Sequence, residues 1–126
     1  MPRPVHFEIH AADPERAVAF YRTLFDWNIT KWDGPWPYWL VKTGSEGPGI
    51  DGGILQRRGE APASDAPCNA FVCTIGVEDI DATLAKAQGL GAKVVVPKMD
   101  VPGVGTLAYV HDPDGNIVGV AQPASM

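Results

Sequence analysis

His6-Phe7-Glu8-Ile9-His10-Ala11-Ala12-Asp13 and Val72-Cys73-Thr74-Ile75-Gly76-Val77-Glu78-Asp79 stand at a constant offset of 66 residues, the separation of Asp13 from Asp79. The register extends without a gap from His6–Gln56 onto Val72–Gln122. Ile9 meets Ile75, Ala19 meets Ala85 and Leu24 meets Leu90, while Gly49, Gly53 and Gln56 meet Gly115, Gly119 and Gln122. Turn, cap and core positions agree on one offset, which is the mark of a supersecondary unit used twice.

Each copy reads in the same order. Val5–His10 alternates apolar and polar residues, as a half-buried strand does. Asp13-Pro14-Glu15 then opens a helix: Asp13 caps free N–H groups, Pro14 suits the first helical position and Glu15 favours the positive end of the helix. Ala17, Phe20, Tyr21 and Leu24 fall at helical spacing and are expected to form its inner face. In the second copy Phe71–Val77 is a strand and Asp79 a cap. Ile80, Leu84 and Ala87 form the inner stripe, and Gly89 and Gly91 mark the helix end. Three strands follow each helix, near Trp27–Trp32, Tyr38–Thr43 and Gly52–Arg57, then near Lys93–Pro97, Gly105–His111 and Ile117–Gln122. The stretch Asp112-Pro113-Asp114-Gly115-Asn116 is the turn between the last two. The expected fold is α+β: two tandem βαβββ units, residues 1–58 and 69–126, joined by a linker over residues 59–68 in a single domain.

Composition bounds the function. A 126-residue chain suits one domain, and each half alone would be marginal, so the copies are expected to share a core. A formal charge of −5 disfavours a nucleic-acid or anionic-membrane surface. Cys68 and Cys73 form no CxxC pair, no apolar run approaches a membrane span, and Met1–His10 lacks a signal-peptide pattern. A cytoplasmic protein in a reducing compartment is the expectation.

The paired units, the Asp13-Pro14-Glu15-Arg16-Ala17-Val18-Ala19-Phe20-Tyr21 helix start and the Asp112-Pro113-Asp114-Gly115-Asn116 turn resemble the vicinal oxygen chelate superfamily. That group holds glyoxalase I, bleomycin-resistance proteins and extradiol dioxygenases. The resemblance implies a curved mixed sheet around a cavity, helices outside, and commonly a homodimer. In its metal-dependent members, four ligands stand on the first and last strands of the units. By count from Asp13, Asp79 and the turn, those positions here are His6, Val72, Gly53 and Gly119. Only His6 has a side chain able to bind a divalent ion. The resemblance thus implies a relative without the metal, and no cofactor is expected.

The strand period puts His6, Glu8 and His10 on one face, which the resemblance turns toward the cavity. These three are the candidate acid–base groups, since a carboxylate facing an imidazole can hold a proton near neutrality. They can equally satisfy one another as ordinary buried polar groups. A divalent ion on His6–Glu8 or Glu8–His10 with Asp51 is the remaining alternative.

Gly53 and Gly119 either open space for a ligand to approach the backbone or are covered by a larger neighbour such as Trp39 or Tyr109. Trp32, Trp36, Tyr38 and Trp39, interrupted by Gly34, Pro35 and Pro37, read as one wall of an apolar pocket or as core and dimer contact. His111, just before the turn, is expected either to bond to the turn or to sit at the cavity mouth. Two functions lead, ahead of a third reading as an interaction or regulatory module with a vestigial cavity. The first is a metal-independent binder of a small organic molecule, using Trp36, Tyr38, Trp39, Gly53, Gly119, Tyr109 and His111. The second is a lyase or isomerase using Glu8 with His6 or His10.

Overall fold

The computed structural model of the protein describes residues 2–63, 66 and 71–124; the expected linker falls partly, and Cys68 wholly, outside them. The elements run β1 (Arg3–Ala11), α1 (Pro14–Phe25), β2 (Asn28–Lys31), β3 (Trp39–Lys42) and β4 (Asp51–Gln56). The order then repeats as β5 (Val72–Gly76), α2 (Ile80–Gly89), β6 (Lys93–Val101), β7 (Gly105–His111) and β8 (Ile117–Pro123). The fold is α+β and the unit βαβββ occurs twice. The chain divides into two compact units, one of His6–Val72 and the other of Cys73–Met126 with Met1–Val5.

In the first unit the strands lie in the order β2-β3-β4-β1, and in the second β5-β8-β7-β6. Each is mixed: first and last strands pair parallel, and the other contacts are antiparallel. Among the described residues no helix is long and apolar enough to cross a membrane.

The helix starts form as the caps require. Asp13 Oδ1 accepts from the Arg16 amide at 3.2 Å, and Asp79 Oδ1 from the Ala82 amide at 3.0 Å. The equivalent glutamines tie each helix entrance to its last strand. Gln56 Nε2 donates to the Ala12 carbonyl at 3.0 Å, while Gln122 Oε1 accepts from the Ile80 amide at 2.9 Å. The parallel pairing obeys the repeat, for Glu8 stands opposite Gly53 and Thr74 opposite Gly119.

The antiparallel hairpins break that register. Trp39 pairs with Ile54, yet Val120, the residue equivalent to Ile54, pairs with Ala108 rather than with Gly105. The reason is the connection. Asp112 folds a tight turn by accepting the Asp114 and Asn116 amides, each at 2.9 Å, whereas Thr43–Ile50 in the first copy is a longer loop. Strand β6 runs on through Pro97 to Val101, with two register shifts along it. An end strand tolerates a residue that cannot donate to the ladder.

The first core joins Phe7, Ile9, Val18, Ile29, Val41 and Ile54, with Ala17, Tyr21, Trp27 and Trp39 packed against it. The expected inner face of α1 needs correction. Val18 is the buried residue, and Phe20 and Leu24 turn outward at 55% and 57% exposure. The small Ala17 and flat Tyr21 bring that side of the helix onto the sheet, and Phe20 packs edge-on against Tyr21 instead. In the second unit Val77, Ile80, Ala108 and Val120 form the core with Ile75 and Leu84.

Ile54 is fully buried, so Ile54→Ala should cost about 2–5 kcal/mol in urea unfolding, through lost burial and the cavity left behind. Leu90→Ala, at a residue 70% exposed just after α2, should stay within about 0.5 kcal/mol.

Candidate functional site

Phe7 and Ile9 face α1, so period-two alternation sends His6, Glu8 and His10 to the other side of the first sheet. Parallel pairing puts Asp51 beside His6, Gly53 beside Glu8 and Leu55 beside His10 on that same face. Tyr38 joins them. It ends a loop closed by the Trp32 amide donating to the Tyr38 carbonyl at 2.7 Å, just before β3 begins.

The polar side chains form one hydrogen-bonded chain. His6 Nε2 is 2.8 Å from the Tyr38 hydroxyl, which donates to Glu8 Oε2 at 3.1 Å. The other carboxylate oxygen, Oε1, faces His10 Nε2 at 3.3 Å. Glu8 is buried at 6% exposure, and these donors on both oxygens are what a buried carboxylate needs. Arg57 Nη2 braces the strand end by donating to the His10 carbonyl at 2.6 Å. Asp51 is held apart from this chain, accepting the Thr43 amide at 2.9 Å and the Thr43 hydroxyl at 3.3 Å. Burial holds the His6 imidazole below its ordinary range, against the opposing pull of the Glu8 and Asp51 charges.

Gly53 decides where Tyr38 lies. A Cβ at that position would overlap the Tyr38 hydroxyl and ring. The space opened by this glycine is therefore taken by the phenol. At Gly119 a Cβ would stand 2.9 Å from Thr74 Oγ1 and 3.3 Å from Tyr109 Cε2, so there too neighbours lie over the backbone. Tyr109 is buried at 5% exposure, opposite Gly119 in the β7–β8 pairing.

The remaining candidates divide. Trp36 is 40% exposed and meets Trp32 edge-on at 5.5 Å, and Trp32 meets Tyr38 likewise at 6.2 Å, so these three make one aromatic group beside the polar chain. Trp39 goes elsewhere. As the next residue after Tyr38 it points to the opposite face, where it packs against the core, with Lys31 Nζ 5.4 Å from its ring centre. His111 ends β7 opposite Ile117, and no side-chain hydrogen bond joins it to the turn among the described residues. Sequence reasoning placed Tyr38 in the aromatic wall and missed its central polar role. The signal was available in the pairing of Glu8 with Gly53, since a glycine beside a buried carboxylate leaves room for a side chain to reach across.

The residues do not fit the four-ligand metal site that the fold's metal-dependent members use. Val72 is buried and apolar, Gly53 and Gly119 have no donor, and phenol rings lie over both glycines. Among the described residues no three His, Cys, Asp or Glu side chains are grouped to hold an ion.

A fold of two βαβββ units with a polar first strand facing away from its helix defines a class, and sequence comparison identifies it. The chain belongs to the Glyoxalase/Bleomycin resistance protein/Dioxygenase superfamily, whose profile matches residues 3–120. It is 31% identical over 119 residues to "Putative glyoxylase CFP32" of Mycobacterium bovis, a match covering 93% of this chain and 42% of that protein. The chain thus spans less than half the length of the curated relative. Among solved structures it is similar to the hypothetical protein BH1468 from Bacillus halodurans, with TM-score 0.68 and 11% identity over 99% of this chain and 96% of that one. It is also similar to methylmalonyl-CoA epimerase from Mycobacterium tuberculosis, with TM-score 0.66 and 15% identity over 97% and 88%. At such identities the likeness is one of fold.

Two outcomes follow from this geometry. Gly53→Ala should cost about 1–3 kcal/mol by forcing Tyr38 aside, and distinctly less in a Tyr38→Ala background; equal costs in both backgrounds by urea unfolding would contradict the contact. The second concerns pH. Folded His6 resists a proton that the unfolded chain accepts near pH 6.5, so its share of stability is present above that pH. That share is lost as pH falls below about 6.5 toward the folded pKa. The melting temperature of His6→Gln should therefore drop less than that of the parent protein on acidification through this window.

Proposed function

We propose that this chain binds a small organic molecule on the face of its first sheet that carries His6, Glu8 and Tyr38, and that it does so without a divalent metal. The observation that carries the reading is the Tyr38 phenol lying over Gly53. It puts a hydroxyl between His6 and Glu8 where metal-dependent relatives need a ligand side chain. Beside it, the half-exposed Trp36 offers a flat apolar surface, and a few placed polar groups next to aromatic area suit a small ligand. The epimerase among the structural neighbours is named for an acyl-CoA substrate, which supports a small-molecule role for the fold without assigning that ligand here.

A second reading is a lyase or isomerase of the same superfamily. It is favoured by one observation: His6, disposed by burial to be neutral, is linked through Tyr38 to the Glu8 carboxylate. Such a chain can take a proton from a bound molecule and return it. A homodimer accompanies either reading. Phe20, Leu24 and Phe25 leave an apolar surface on α1 open, and burying it against a second copy would remove that area from water.

A thermal-shift screen of small organic molecules should find ligands that raise the melting temperature, and Trp36→Ala should weaken them about tenfold. A screen without a single stabilising compound would count against binding. Glu8→Gln should abolish any turnover if the acid–base reading holds, and leave none to lose if the protein only binds. Elemental analysis of the purified protein should find no stoichiometric Zn, Ni, Fe or Mn; one equivalent of any of them would overturn the metal-free reading. Sedimentation should give twice the chain mass.

A further inference from the structure

The hydrogen-bond chain across this face sets the place of each proton within it. The Tyr38 hydroxyl donates to Glu8 Oε2 at 3.1 Å, while Glu8 Oε1 faces His10 Nε2 at 3.3 Å. The single Tyr38 proton is thereby committed to Glu8. Toward His6 Nε2, 2.8 Å away, the phenol oxygen can only accept, so Nε2 carries a hydrogen. Burial disfavours a second proton on the ring. The other ring nitrogen, Nδ1, keeps its lone pair, since among the described residues the ring's hydrogen bond is the one that Nε2 makes to Tyr38.

We infer that His6 Nδ1 is a fixed hydrogen-bond acceptor for the ligand of this face, and that the ligand is a molecule presenting an O–H or N–H donor there. The inference rests on the binding reading above and narrows its ligand class. A carboxylate or phosphate oxygen directed at the same point would meet a lone pair, with the negative charges of Glu8 and Asp51 close enough to act on the ring. Unpaired acceptors facing each other in a partly buried site lose binding rather than gain it. Tyr38 and Glu8 are positioning residues in this arrangement. They act on the ligand through the tautomer of His6, and Gly53 is what lets Tyr38 reach it.

The test reads the tautomer directly, then the donor requirement. The full chain is labelled at its histidine nitrogens, and two-bond proton–nitrogen correlation spectra are recorded at about pH 8, above the ordinary imidazole range. Single His→Gln variants assign the signals. His6 should show hydrogen on Nε2 and a bare Nδ1, and Tyr38→Phe should release that preference into a mixture. Hydrogen on Nδ1 of the parent protein, or an unchanged tautomer in Tyr38→Phe, would overturn the inference.

The probes are para-cresol and its methyl ether, which share ring and methyl group and differ in the donor. Para-cresol should move the Nδ1 resonance and bind about fivefold more tightly, the worth of one ordinary hydrogen bond. Equal responses to the two, or none to either, would overturn the donor requirement. Compounds that stabilise the protein without moving Nδ1 would leave the binding reading standing and this inference refuted.

Discussion

A phenol hydroxyl resting over a glycine is the contact on which the polar face depends. Tyr38 reaches Glu8 only because Gly53, the residue paired with Glu8 across β1 and β4, has no side chain. Remove that vacancy and the buried carboxylate loses one of its donors, while His6 loses the partner that orders its ring. A buried charge left short of hydrogen bonds costs more than a surface contact returns, so packing at one backbone position governs the chemistry of the whole strand face.

The second βαβββ copy, which opens with β5, shows what the same scaffold does without that arrangement. Its equivalent positions hold Val72 for His6, Thr74 for Glu8 and Gly119 for Gly53. The parallel pairing is conserved between copies in register as well as direction, and Tyr109 again lies close to the glycine. With no carboxylate or imidazole at those points, Thr74 Oγ1 and the Tyr109 ring are the side-chain neighbours that crowd Gly119. Duplication supplied two frames of one geometry, and where the first has His6 and Glu8 on its opening strand the second has Val72 and Thr74.

Membership of the superfamily therefore says more about architecture than about chemistry. At the positions that the family resemblance matches to metal ligands stand one histidine, a valine and two glycines, with a tyrosine ring close to each glycine. On the metal-free reading proposed above, the hydrogen-bonded chain of His6, Tyr38, Glu8 and His10 has a different use from a cation. It can orient a donor or move a proton, whereas a cation polarises oxygen.

The sequence alone determined the repeat, the element order, the helix caps, the final turn and the shared face of His6, Glu8 and His10. All of these rest on local rules: the two-residue strand period, capping by Asp13 and Asp79, and the preference of Asp-Gly segments for turns. It also marked the glycines at the positions that the family resemblance matches to ligands and left open what covers them. Tertiary structure decided the rest. Which of two adjacent aromatics, Tyr38 or Trp39, faces the polar side depends on where β3 begins after an irregular loop, and one residue of register reverses the answer. The rotation of α1 that exposes Phe20 and Leu24 follows from packing against β4, which no helical period specifies by itself. The union of Tyr38 with Glu8, 30 residues apart in the chain, exists only once the strands are paired, because it is pairing that brings Gly53 beside the carboxylate.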